Sequence, residues 1–243
     1  MAKTILHKAE TRGHEMYGWL DTHHTFSFAE YHDSERINFG ALRVLNDDIV
    51  AAGKGFGLHP HKNMEIISIP LEGDLEHKDD MGNIQIIRHG DIQVMSAGTG
   101  IYHSEYNKNN TVAVKFLQIW IIPNRENVKP RYDQLTMDIT ERQNKFQQIV
   151  SAYPGGKGLW IYQDASFSLG RFTNKTNTEY EIKRQNNGVY AFVINGSFTI
   201  ENQLLHKRDG LGIWATDKIA ITAESNDSEL LLMEVPMEWQ EIK

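Results

Sequence analysis

Two short stretches of the chain carry the side chains best suited to hold a metal ion. "HPH" sets His59 and His61 two residues apart, and "HSE" sets His103 and Glu105 at the same spacing. On an extended chain, side chains two apart point to one face, so each pair can converge on a single ion. Pro60 steers His59 away from the helical region and, having no N–H, suits an edge strand or a bulge. Both pairs follow glycine-containing runs, "GKGFGL" and "SAGTG". If the two strands are neighbours, three neutral imidazoles and one carboxylate face one point. Around a six-coordinate divalent ion, that set leaves positions open for other molecules. Nitrogen and oxygen donors of this kind suit Fe(II), Mn, Ni, Cu or Zn. Closed structural zinc is a poor match, because three His and one Glu without Cys is not among its usual ligand sets.

The elements that must carry these residues read as β structure throughout. Short alternating or apolar runs ("ALRVL", "EIISIPL", "DLEHK", "IQIIRH", "IQVM", "VKFLQIWII") are broken by "EGD", "DDMGN", "HGD" and "SAGTG". Those breaks are rich in residues that accept turn dihedrals, a rhythm typical of sandwiches and barrels. The second half continues with "LWIYQD", "FSLGRF", "VYAFVI", "SFTIE", "LGIWA", "KIAIT" and "ELLLMEV". "LEGDLEH" followed by "RHGDIQVMSAG" has a later counterpart in "INGSFTI" followed by "RDGLGIWAT", which fits an internal duplication. Between the halves, "IIPNRENVKPRYDQLTMDITERQNKF" loses the alternation and carries two prolines, so a boundary is expected there. Asp138 and Glu141 have the spacing of a capping box, marking a short helical turn.

Composition narrows the function classes. At 243 residues the chain can form two cores of about 120 residues each. Lys and Arg total 25 against 32 Asp and Glu, so binding nucleic acid by neutralising phosphates is not expected. There is no apolar run near the roughly 20 residues of a membrane span, and no cysteine for disulfides or thiolate sites. A monomeric cytoplasmic protein is the plain expectation. Of 11 histidines, only His206 lies beyond His103, so imidazole chemistry belongs to the first half. His14, His23, His24, His32, His77 and His89 show no second member at a useful spacing and are expected to be solvent-facing or hydrogen-bonding.

Several ordered motifs resemble a known family. "GKGFGLHPHKNMEIISIPLEG" is similar to the first metal-binding motif of cupins, and "GDIQVMSAGTGIYHSEYN" to the second in the form found in pirins. "GWLDTHHTFSFAEY" and "QIWIIP" also resemble bacterial pirins. The resemblance is strongest over residues 5 to 135. It implies an all-β bicupin: two antiparallel β-sandwich or jelly-roll barrels packed together, residues 1–135 binding metal and residues 136–243 not. It assigns His59, His61, His103 and Glu105 as ligands, with Fe(II) the preferred ion. The general cupin pattern takes its carboxylate from the first motif instead, which is Glu65 here, so Glu65 stands as an alternative ligand.

Bacterial pirins similar to this sequence act as quercetin 2,3-dioxygenases, which open a flavonol ring with O2 and release carbon monoxide. The resemblance therefore implies a flavonol or related enol-containing aromatic as substrate, with Glu105 or Glu65 as the base that takes its hydroxyl proton. Phe56, Met64 and Trp120 are expected wall or core residues, and the aromatics of "FSFAEY" are expected in the core. A second implication is a non-enzymatic, iron-containing, redox-responsive regulator that binds a protein partner.

Overall fold

The computed structural model describes residues 2–238. Its first half comprises β1 (Lys3–His7), β2 (Gly13–Met16), β3 (Leu20–His24), β4 (Leu42–Val50), β5 (Gly55–His61) and β6 (Glu65–Glu72). These are followed by β7 (Leu75–Asp79), β8 (Ile84–Ile87), β9 (Asp91–Ser96), β10 (Ile101–Asn107), β11 (Val114–Ile121) and β12 (Arg131–Thr136). The second half comprises β13 (Phe146–Ser151), β14 (Leu159–Trp160), β15 (Ser166–Phe172), β16 (Asn177–Glu181) and β17 (Asn187–Asn195). It ends with β18 (Ser197–Ile200), β19 (Gln203–His206), β20 (Gly210–Trp214), β21 (Lys218–Ala223) and β22 (Ser228–Pro236).

Each half pairs a seven-stranded sheet with a four-stranded one, giving two sandwiches whose sheets stay open rather than closing into barrels. The first has the orders β12-β9-β6-β11-β4-β3-β2 and β5-β10-β7-β8; the second has β1-β20-β17-β22-β15-β13-β14 and β16-β21-β18-β19. Among the described residues, helix is confined to the 3-10 turns Ala9–Thr11 and Ile139–Arg142. The second begins at Asp138, whose side chain accepts a hydrogen bond from the Thr140 N–H, so the turn expected there is present. No helix among the described residues is long and apolar enough to cross a membrane.

Strands missing from the sequence reading lie where alternation is weak. β12 lies inside the charged stretch taken for a boundary, yet "RYDQLT" pairs antiparallel with β9 along its whole length. β1 departs further from a division by sequence halves, because it leaves the first sandwich and extends the second by pairing with β20. It is fastened by His7 to the Tyr190 hydroxyl at 2.9 Å and, just beyond it, by Asp209 accepting from the Ala9 N–H and from Lys8, each at 2.8 Å.

Parity on β6 explains how the sandwiches meet. Ile67 and Ile69 face a cluster of buried side chains that includes Leu117 and Ile119 from the first half and Phe167, Phe192, Leu231 and Met233 from the second. The two large sheets thus share one apolar layer. Arg208 of the second half adds a hydrogen bond from Nε to the Asp47 carboxylate of the first, at 2.7 Å. Phe167→Ala would leave a cavity in that layer, at a cost of about 3–5 kcal/mol. Calorimetry should show the unfolding of both halves moving to lower temperature together. A shift confined to one of two separate transitions would contradict a shared core.

Candidate metal centre

β5 and β10 pair antiparallel, with His59 directly opposite His103 and His61 opposite Ile101. The two motifs are therefore neighbours, as the spacing required. Tight approach on this edge needs Gly55: a Cβ there would fall 2.2 Å from the Glu105 carbonyl oxygen and 2.5 Å from the Tyr106 Cα. The turn into β10 needs Gly98, which has φ +47° and lies against the Val128 carbonyl. Register then slips, so that two steps along β10, from His103 to Glu105, match three along β5, from His59 to Phe56. This bulge at Gly57 and Leu58 cancels the normal alternation and brings Phe56 to the same cavity as His59 and His61.

The three imidazoles form a compact triangle. Ring centroids are 4.9 Å apart for His59 and His61, 4.4 Å for His59 and His103, and 4.9 Å for His61 and His103. One nitrogen from each lies within 4.8 Å of the others. Hydrogen bonding leaves the right nitrogens free. His59 Nδ1 donates to the Gly57 carbonyl at 2.7 Å, so its Nε2 carries the lone pair. His103 Nε2 is buried and has no partner, while His103 Nδ1 is 3.4 Å from His77 Nδ1. His77 Nε2 in turn lies 3.1 Å from the Asp79 carboxylate, which also accepts from the Met81 and Asn83 N–H groups and the Asn83 side chain.

A carboxylate only accepts, so His77 Nε2 donates to Asp79 and His77 Nδ1 accepts from His103. That leaves the His103 Nε2 lone pair aimed at the triangle. Burial would raise the Asp79 pKa, but hydrogen bonds from Asn83 and His77 outweigh it and hold the carboxyl below its usual range. Burial, and then neighbouring imidazoles, push His61 and His103 down to about 3. Both are neutral at ordinary pH and need lose no proton to bind an ion. An orphaned buried nitrogen beside two other available imidazoles fits a divalent transition metal.

Glu105 is buried in the same cavity but is not part of the three-histidine grouping. It accepts from Gln118 Nε2 at 2.7 Å and lies 3.1 Å from the Ser68 hydroxyl. Glu65 is placed elsewhere. It shares the parity of Ile67 and Ile69 on β6, so its carboxylate leaves the cavity and accepts from Ser96 at 2.7 Å near Arg131. The expectation that Glu65 serves as ligand or base finds no support in this placement. The backbone reverses at Asn63, which has φ +49°, and this turn separates Glu65 from the face of His61.

The cavity has a volume of about 470 Å³, within the range of small-molecule sites. Trp19, Phe28, Phe56 and Trp120 supply apolar walls, and the rings of Trp120 and His61 meet edge-on at 4.8 Å. Phe28 of "FSFAEY" lines this cavity, whereas Phe26 belongs to the shared core. Met64 packs behind Trp120 with Ile66, Met95 and Ile101. Asp48, bonded by the Thr22 hydroxyl, also lines the floor; burial raises its pKa to about 7 despite that bond. Gln118, Asp48, Ser68 and the His77–Asp79 pair escaped the sequence reading. The spacing of "HKD", identical to that of "HPH", was the available signal for the last pair. Among the described residues the second sandwich has no comparable grouping; Phe172, Tyr180, Phe198 and Leu232 fill its interior.

The fold and site define a two-sandwich, metal-centred protein of the cupin type. Family profiles described as Pirin and as Quercetinase C-terminal cupin domain match residues 6–121 and 148–235. The chain is 42% identical over 231 residues to quercetin 2,3-dioxygenase of Escherichia coli K12, covering 95% of this chain and 98% of that protein. It is 37% identical over 219 residues to a pirin-like protein of Caulobacter vibrioides, covering 90% and 93% respectively. The crystal structure of E. coli YhhW superposes with a TM-score of 0.91 at 41% identity, covering 98% of this chain and all of that one. That of the bacterial pirin YhhW in complex with nickel(II) gives 0.89 at 42% identity, covering 96% and 99%. The chain belongs to the pirin family.

Two outcomes follow from the geometry. His77→Ala removes the acceptor that orients His103 and should weaken metal binding about 10- to 100-fold in a chelator competition. His77→Gln, which keeps an acceptor oxygen, should recover part of the loss. Burial raises Glu65 to about 7 in the folded chain from an ordinary 4.5. Its favourable contribution is complete below pH 4.5 and is lost as pH rises to 7, by roughly 3 kcal/mol. Glu65→Gln should therefore flatten the decline in stability between those values. An unchanged slope in urea titrations across that range would refute this.

Proposed function

We propose that this chain is a metal-dependent dioxygenase acting on a flavonol or a related enol-containing aromatic, with His59, His61, His103 and Glu105 as the ligand set. The observation that carries this reading is the triangle of available imidazole nitrogens opening into an aromatic-walled cavity with a buried carboxylate beside it. Relatives at 42% identity that bear the name quercetin 2,3-dioxygenase support it. His59, His61, His103 and Glu105 would hold a divalent ion, which would supply Lewis-acid chemistry that eases loss of a proton from an enolic hydroxyl.

The chain's own residues do the rest. Trp19, Phe28, Phe56 and Trp120 accept a flat aromatic molecule and exclude water around the reacting ring. Glu105 takes the proton from the enolic hydroxyl. Gln118 Nε2 donates to one oxygen of that carboxylate and the Ser68 hydroxyl to the other, which together orient it in the cavity. Asp79, through His77, keeps His103 from rotating out of the triangle. The overall reaction adds both atoms of O2 to the opened ring and releases one ring carbon, with its oxygen, as carbon monoxide.

Oxygen uptake with quercetin, measured alongside metal content, tests the assignment. His61→Ala should lose both metal and turnover. Glu105→Gln should lower turnover at least about 100-fold, whereas Glu65→Gln should leave it near the wild-type rate. Retention of metal and turnover in His61→Ala, or greater damage from Glu65→Gln than from Glu105→Gln, would overturn the reading.

A further inference from the structure

His14 on β2 and His23 on β3, well before His59 in sequence, face each other across the β2–β3 hairpin. Register sets His14 directly opposite His23. Their rings stack at 4.2 Å with planes 12° apart. Asp21, two residues before His23, projects from the same face of β3, and its Oδ1 lies 2.9 Å from His14 Nε2 and 3.7 Å from His23 Nδ1. One donor atom from each of the three residues falls within 4.8 Å of the others, a closeness that His59, His61 and His103 also show. The expectation that these histidines have no second member therefore fails: Asp21 stands two residues from His23 along β3, and His14 arrives across the turn.

The chemistry of the trio is that of an open metal site. Their side chains are 33–47% exposed, so an ion can arrive without disturbing the core and can keep water in its remaining positions. Burial, followed by the nearby Arg12 and His14, lowers the pKa of His23 and favours its neutral form. Two imidazoles and one carboxylate suit a borderline divalent ion better than Mg²⁺ or Ca²⁺, which prefer oxygen-only shells.

We propose that His14, Asp21 and His23 form a second divalent-cation site, for Zn²⁺, Ni²⁺ or Cu²⁺, distinct from the three-histidine centre. Its position gives it a structural consequence. β2 is the edge strand of its sheet, and the hairpin's other face contributes Glu15, Thr22 and His24 to the cavity wall. An ion shared by His14 on β2 and His23 on β3 cross-links the free edge to its neighbour and fixes that wall.

Titration calorimetry with Zn²⁺ on the purified protein, with and without a single equivalent of nickel preloaded, tests the site. Wild type should bind one equivalent more than the double variant His14→Ala/His23→Ala in both preparations. Each single variant should bind that equivalent at least about tenfold more weakly. Zn²⁺ should also raise the melting temperature of wild type more than that of the double variant. Equal zinc stoichiometry in wild type and a double variant that melts like wild type without zinc would show only a stacked, hydrogen-bonded histidine pair and would overturn the proposal. Because the readout is a difference between two proteins, it holds whether or not the first centre functions as proposed above.

Discussion

His59 lies opposite His103 because β5 and β10 run antiparallel on one edge of the smaller sheet, in a register that Gly55 permits and a bulge at Gly57 and Leu58 adjusts. Shift that pairing by one residue and the imidazoles leave the cavity for solvent. The bulge matters as much as the register, since it places Phe56 beside the histidines against the two-residue period. What looks like a local irregularity thus sets both the ligands and one wall of the cavity.

Burying imidazoles and carboxylates without partners is costly, and around the cavity the first sandwich handles this with fixed hydrogen bonds. Gln118 and Ser68 reach Glu105, Thr22 reaches Asp48, and Asp79 orients His103 through His77. His103 Nε2 is left without a partner, and an ion would satisfy it. The second sandwich spends the same interior space on apolar packing around Phe172, Phe198 and Leu232. Its larger sheet contributes instead to the layer shared with the first, which supports the half that carries the three histidines from behind.

The β character, the doubled architecture and the convergence of "HPH" with "HSE" were legible in sequence because each rests on a period of two and on turn residues. Four features were not. β12 was hidden by its charged residues, among them Arg131, which packs over Trp160 of the second half, and β1 joins the distant sandwich, a pairing across some two hundred residues that no local pattern reveals. Glu65 and Glu105 both had plausible spacing, and only the turn at Asn63 separates them, sending Glu65 toward Ser96 and the other half. The contact of His77 with His103 required a third strand, β7, to pair beside β10.

In the proposed site His59, His61 and His103 hold one ion together. X-ray absorption spectroscopy on protein given a single equivalent of Ni²⁺, compared with His59→Ala and with the double variant His14→Ala/His23→Ala, measures this directly. The account predicts scattering from three imidazoles in wild type and in the surface double variant, and fewer in His59→Ala. A nickel shell with fewer than three imidazoles in wild type, or one unchanged by His59→Ala, would contradict it.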